Sequence, residues 1–295
     1  MKMLKTIILI FFILSLFSYS DNNSETDFNH SQWKKSIIKS RTEKDNEFKT
    51  SPTSPMSGLI RTTVNHKEEI FVYLINGNIK TSTTSVDDFI LKIYKKDKKW
   101  ISEDNKDNKN IRDKSRETFN LNRFTFMCYP SVESFTLIIF DPLREMQKNF
   151  SHLLYYPPDP KFRVRAKLER FKKINKITVK TSRELEKQLL AYARVHFIID
   201  GKELKLTAFK FTLDKKSPYS KYLFLPFFDK TNMTDTYEAG RFLEAIEPEG
   251  DEIIIDFNEC YNPLCNYAPV YNCTLPPFEN ELDIEIKAGE KTYPH

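Results

Sequence analysis

The sequence predicts a mainly β protein: antiparallel sheets, sandwich or barrel-like, with an N-terminal helix and a long proline-rich C-terminal loop. Two observations carry this. Asn76-Gly77 and Asp200-Gly201 each sit between alternating apolar runs, the strongest short-range hairpin signal. Around them lie roughly a dozen short runs rich in β-branched and aromatic residues. The 24 Phe and 14 Tyr suit the same architecture, as material for a Phe-rich β core.

Lys2 and Lys5 precede an almost purely apolar run from Thr6 to Phe17, and Ser18-Tyr19-Ser20 follows with a small-x-small pattern. This reads as a secretory signal peptide over 1–20, cut after Ser20 to leave a mature N-terminus near Asp21. The apolar run is shorter than the roughly 18–20 residues a spanning helix needs. Tyr19 occupies the place where a lipoprotein would carry Cys. No membrane span is expected after cleavage, and the expected location is periplasmic or secreted.

Residues 21–66 read as a helix and a linker. Ser31 is the expected N-cap, Trp33, Ile37, Ile38 and Phe48 the apolar face, and Ser51-Pro52 the stop. Residues 67–293 read as the β-rich domain, as one unit or as two abutting sheets over 67–160 and 161–293. IFVYLI and IKTST flank the first hairpin turn; FILKIY, FTFMCY and FTLIIF follow. Lys95 to Glu117 is crowded with Lys, Asp and Asn and reads as a solvated loop or hairpin tip. FRVRAKLERF and INKITVKT come next, then ARVHFII and KELKLTAFKF around the second hairpin turn, then YLFLPFF, EIIIDF and LDIEIK. Thr181 to Arg194 is ambiguous, because RELEKQLLAYAR also has good helix propensity.

The formal charge is +5, of which Lys2 and Lys5 supply two, leaving about +3 on a mature chain of about 275 residues. The lysines are interspersed with acids and form no basic patch interleaved with aromatics, so a nucleic-acid partner is not expected. No G-x-S-x-G, HExxH, P-loop or G-x-G-x-x-G motif occurs, and no cofactor is implied. The four cysteines, Cys128, Cys260, Cys265 and Cys273, are spaced C-x4-C and C-x7-C over the last three, with no CxxC and no nearby His. That spacing argues against zinc. In an exported chain disulfides are permitted, three pairings are open, and Cys265–Cys273 across a proline-containing loop is one candidate. Nothing in the sequence sets an oligomeric state.

The most informative stretch runs from Asp229 to Lys291, where polar residues of specific hydrogen-bonding shape alternate with prolines. Asp256 ends the Ile253-Ile254-Ile255 run, so its carboxylate must be paired or wet. Arg241 offers a planar five-donor fork suited to a carboxylate or phosphate, and Gly240 before it allows a sharp turn. Asn258 and Asn262 each donate and accept. Pro263, Pro269, Pro276 and Pro277 stiffen the chain that carries them. Tyr237, Tyr261, Glu279 and Asn280 complete the candidate polar site. The expectation is that Arg241 lies within salt-bridge reach of Asp256 or Glu279, with Tyr237 and Asn262 lining the same spot.

The runs TYEAGRFL, DFNECYNPLCNY and LPPFENELDIEIKAGEK, in that order, resemble the bacterial and archaeal family called domain of unknown function 1684. Upstream, FTLIIFDPLREMQKNFSHLLYYPPDPKFRVRA is similar to that family's F-x-GL-x-YFP-x-DP segment, and the Trp33 helix and SPTSP stretch also fit, so the resemblance spans roughly residues 30 to 291. Matching positions are Asp141, Tyr156, Asp159, Tyr237, Gly240, Arg241, Asp256, Asn258, Tyr261, Asn262, Pro263, Cys265, Cys273, Pro276, Pro277, Asn280 and Glu290. Cys260 stands where the family usually has Ala, and Leu153-Leu154 replaces Gly-Leu. The resemblance implies a pairing or shared role for Cys265 and Cys273 above Cys128 and Cys260, and implies a strand at Thr181 to Arg194. It implies no activity.

Two function classes follow. One is an exported module whose polar site holds a small anionic or sugar-like ligand or pins the C-terminal loop. The other is a hydrolase-like enzyme with Asp256 or Glu279 as acid or base and Arg241 as anion clamp.

Overall fold

A computed structural model describes residues 28–104, 108–111 and 117–294. The signal-peptide reading and its cleavage site fall outside them. The fold is mainly β, built from antiparallel sheets, with an N-terminal helix. Helix α1 runs His30–Thr50 and stops before Ser51-Pro52 as expected. Its N-cap is Asn29 rather than Ser31, because Asn29 Oδ1 accepts the Gln32 N–H at 3.0 Å. Ile37 and Phe48 are buried, whereas Ile38 is 49% exposed and does not share their face. The chain divides into two compact units, one of residues 48–151 with 267–271, the other of residues 28–47, 152–266 and 272–294.

The first unit is a sandwich. It carries β1 (Gly58–Asn65), β2 (Ile70–Ile75), β3 (Asn78–Ser82), β4 (Phe89–Lys96), β5 (Lys99–Asp104), β6 (Asn108–Ile111), β7 (Glu117–Leu121), β8 (Phe124–Pro130) and β9 (Ser134–Phe140), then a short helix α2 (Glu145–Lys148). Its sheets are ordered β1-β9-β8-β7 and β3-β2-β4-β5-β6. The core draws from both: Val72, Ile93 and Trp100 from one, Phe126, Phe135 and Leu137 from the other. Asn76 and Gly77 have φ of 51° and 77°, the pair a type I′ turn needs. Residues 105–107 and 112–116 lie outside the described residues; the expected solvated loop or hairpin tip at Lys95 to Glu117 holds for the β4–β5 turn and is corrected over Lys99–Asp104. β5 lies inside it, with Trp100 fully buried against Phe135 and its indole N–H on Ser131 O at 2.9 Å. The charges Lys99 and Glu103 lie on the strand's outer positions, opposite Trp100 and Ser102.

The second unit holds β10 (Arg163–Lys180), β11 (Glu186–Ile199), β12 (Lys202–Lys210), β13 (Tyr222–Phe227), β14 (Arg241–Ile246) and β15 (Glu252–Asp256) in one sheet ordered β14-β13-β12-β11-β10-β15. The edge strands β14 and β15 approach each other, so the sheet is a nearly closed barrel. Leu168, Val195, Phe197, Leu206, Leu225, Leu243 and Ile255 fill it; each buried side chain of this size contributes about 1.5–3 kcal/mol. FRVRAKLERF and INKITVKT are one strand with a register shift between Arg170 and Asn175. The ambiguous stretch is strand from Glu186, as the resemblance implies, and turn before it. LDIEIK is not a strand. Leu282 and Ile286 turn into the core as in a strand; Leu282 N and Ile284 O pair with the main chain of Phe228 and Lys230, whereas both backbone groups of Ile286 meet side chains of the site described next.

Candidate functional site

The Arg241 side chain enters the barrel because of the turn before it. Gly240 has φ +83°, and a Cβ there would sit 2.7 Å from Phe227 O and from Pro276 Cγ, so only glycine fits. Arg241, first residue of β14, is fully buried. Its Nη2 reaches Asp229 Oδ1 at 3.2 Å, Thr231 Oγ1 at 3.4 Å and Ile286 O at 2.8 Å. Its Nη1 donates to Ala288 O and Glu290 O. Asp229 Oδ2 accepts the Ile286 N–H at 2.6 Å, and both Asp229 oxygens accept the Thr231 hydroxyl. The ion pair therefore takes both backbone groups of Ile286 and two further carbonyls of the C-terminal segment. It does what a neighbouring strand would do. The expected partners Asp256 and Glu279 are corrected to Asp229, which opens the informative stretch but stands outside the candidate site.

Glu290, buried on the same segment, is the second hub. One oxygen binds Lys44 Nζ of α1; the other accepts the Asn262 N–H at 2.9 Å. Asn262 Nδ2 donates to Lys291 O at 2.8 Å. Lys44 also lies over the Tyr261 ring, 5.2 Å from its centroid. Arg241 and Asn262 thus meet around Glu290, the first on its carbonyl and the second on its carboxylate.

The other predicted residues stand in separate clusters. Asp256 Oδ2 accepts the Trp33 indole N–H at 2.6 Å, while Oδ1 caps the turn Phe257–Glu259 through Asn258 N. Asn258 closes a two-way amide pairing with the backbone of Asp159, at 2.8 Å each way. Asn280, fully buried, accepts the Thr207 N–H at 2.7 Å and donates to Thr207 O and Pro226 O. Glu279 is exposed and accepts the Thr207 hydroxyl. Tyr237 is not among the hydrogen-bond partners of Arg241; its influence falls on the Cys265 thiol, whose pKa is lowered by the Cys273 thiol and then by this hydroxyl. All four cysteines are thiols rather than disulfides, Cys128 and Cys260 buried, Cys265 and Cys273 half-buried. The Cys265 N–H donates to Cys273 Sγ at 3.2 Å.

Tyr261 donates its hydroxyl to Glu244 Oε1 at 2.7 Å. Burial pushes the Glu244 carboxyl up to about 7 from 4.5, against the downward pull of that hydroxyl. The folded state therefore holds this proton more tightly than the unfolded chain. The resulting stabilisation is fully present below about pH 4.5 and is lost as pH rises from there through 7. Glu244→Gln is expected to flatten this part of the profile in urea midpoints taken from about pH 5 to 8. Equal slopes in both proteins would refute the assignment.

The surface hollows at His66, Lys95 and Glu133 (about 590 Å³) and at Arg165 and Glu252 (about 390 Å³) include none of the predicted site residues. Among the described residues no three His, Cys, Asp or Glu side chains are placed to hold a metal. Nor is any described helix long and apolar enough to cross a membrane.

No curated protein matches the chain. It is similar to an uncharacterised Haloarcula marismortui protein solved by solution NMR, with 37% identity over 50% of this chain and 80% of that one, at a TM-score of 0.42. Residues 148–291 match a family model. That span takes in YYPPDP and every C-terminal motif, and leaves out the Trp33 helix, SPTSP and Asp141, where the wider resemblance had placed them. The chain belongs to the family described as Protein of unknown function (DUF1684).

Proposed function

We propose that this is an exported β-rich module whose buried Arg241 cluster pins the C-terminal loop. One observation carries the reading: a fully buried guanidinium has both Nη groups engaged by Asp229 and by the carbonyls of Ile286, Ala288 and Glu290, and its unpartnered Nε is itself sealed from solvent. Asp256 and Glu279, the acid/base candidates of the hydrolase alternative, have their own internal partners. Export rests on the signal-like N-terminus, and intact mass of extracytoplasmic material is expected to begin near Asp21.

The test is a thermal-shift panel of millimolar phosphate, citrate and monosaccharides on the mature protein. A ligand that binds the native state raises its apparent stability. The expected result is no saturable shift with any of them. A saturable rise that disappears in Arg241→Lys would overturn the proposal in favour of a ligand site.

A further inference from the structure

Cys265 and Cys273 have no part in the loop-pinning cluster, yet their surroundings differ from those of the other two thiols. Cys128 and Cys260 are sealed in the cores, whereas this pair is half-buried. The sulfurs are hydrogen-bonding neighbours. Cys273 is held from both sides of its peptide: its N–H donates to Ser182 Oγ at 3.0 Å, and its O accepts the Ser182 N–H at 2.8 Å. The Cys273 thiol and the hydroxyls of Tyr237 and Ser182 lower the pKa of the Cys265 thiol, against the upward push of burial. Cys273 Sγ receives the Cys265 amide. Hydrogen bonds to a sulfur favour its thiolate, the nucleophilic form.

We propose that Cys265 and Cys273 form a reactive dithiol that exchanges with low-molecular-weight disulfides, Cys265 as the attacking and Cys273 as the resolving thiol. Cys265 thiolate attacks one sulfur of a disulfide RSSR; that S–S bond breaks, and RS⁻ leaves and takes up a proton. Cys273 then loses its proton to solvent and attacks the Cys265 sulfur of the mixed disulfide. The Cys265–Cys273 bond forms and a second RS⁻ leaves. The dithiol is oxidised by two electrons and RSSR is reduced to two RSH. The lowering of the Cys265 pKa, first by the Cys273 thiol, favours the thiolate that the first step uses.

The experiment treats the reduced full-length protein with glutathione disulfide and follows it by intact mass and peptide mapping. Wild type is expected to reach a Cys265–Cys273 disulfide. Cys273→Ser is expected to stop with one glutathione on Cys265, and Cys265→Ser to leave Cys273 unmodified over the same time. Tyr237→Phe keeps both thiols and should slow iodoacetamide alkylation of Cys265 at neutral pH by about tenfold. Glutathione on Cys273 at the wild-type rate in Cys265→Ser would overturn the assignment of roles. Absence of any adduct or disulfide, or a Cys265 alkylation rate unmoved by Tyr237→Phe, would overturn the site itself.

Discussion

Arg241→Ala is expected to destabilise the protein by about 3–5 kcal/mol, read as a fall in the urea midpoint at unchanged slope. The substitution leaves the Asp229 carboxylate, with 1% of its side chain exposed, without its countercharge. It also strips donors from Ile286 O, Ala288 O and Glu290 O, each in a buried setting. The carboxylate alone can be neutralised, so a double variant Arg241→Met with Asp229→Asn separates the two losses. The amide introduced by Asp229→Asn would still be able to accept the Ile286 N–H, but nothing would replace the guanidinium at the three carbonyls, of which Ala288 O keeps only the weak Cys260 thiol donor at 3.5 Å. Only partial recovery is therefore expected, because orphaned buried carbonyls each cost about 1–3 kcal/mol. Full recovery would mean that the charge pair, not its grip on the C-terminal backbone, is what matters.

How far the sequence discloses all this depends on the range of the interaction involved. The hairpins at Asn76-Gly77 and Asp200-Gly201 were legible because a type I′ turn demands positive φ at two adjacent residues, a local requirement with a local signature. Phe-rich strands such as YLFLPF were legible for the same reason. β5 was not, since its alternation is written in one Trp and one Ser among charges, and only the presence of a facing sheet shows that Trp100 is inside. LDIEIK carries a true strand pattern; its first half pairs with the main chain of Phe228 and Lys230, and at Ile286 the side chains of Asp229 and Arg241, 57 and 45 residues earlier, stand where a partner strand would. The right residues of the site were named, Arg241, Asn262, Asn258 and Asn280 among them, because amides and a guanidinium between prolines must be placed for a reason. Most of their partners lay outside the candidate site, although Asp159 and Glu290 stood among the resembling positions. Pairing across the barrel is a property of its closure, and Asp229 and Glu290 look like ordinary surface carboxylates until the closure buries them.

Lys44→Ala is expected to cost a similar amount, about 3–5 kcal/mol, for a cause that can be told apart from the first. Lys44 and Glu290 form an ion pair with side chains 9% and 2% exposed. Deleting the ammonium leaves a buried carboxylate without its countercharge, although the Asn262 N–H still reaches it. It also removes the alkyl stem that lies near the Tyr261 ring. Whereas Arg241 grips three main-chain carbonyls directly, Lys44 acts on the C-terminal segment through the Glu290 carboxylate. A paired replacement, Lys44→Met with Glu290→Gln, keeps volume and keeps an acceptor for Asn262. It is expected to return most of the lost stability, as neutral replacements of buried pairs commonly do. The double-mutant cycle should then show a coupling near the size of the single losses. A Lys44→Ala protein of wild-type stability would place helix α1 outside the cooperative unit of the barrel. In that case the C-terminal segment would be held from within the barrel, by Arg241, Asp229 and Asn262, without the helix.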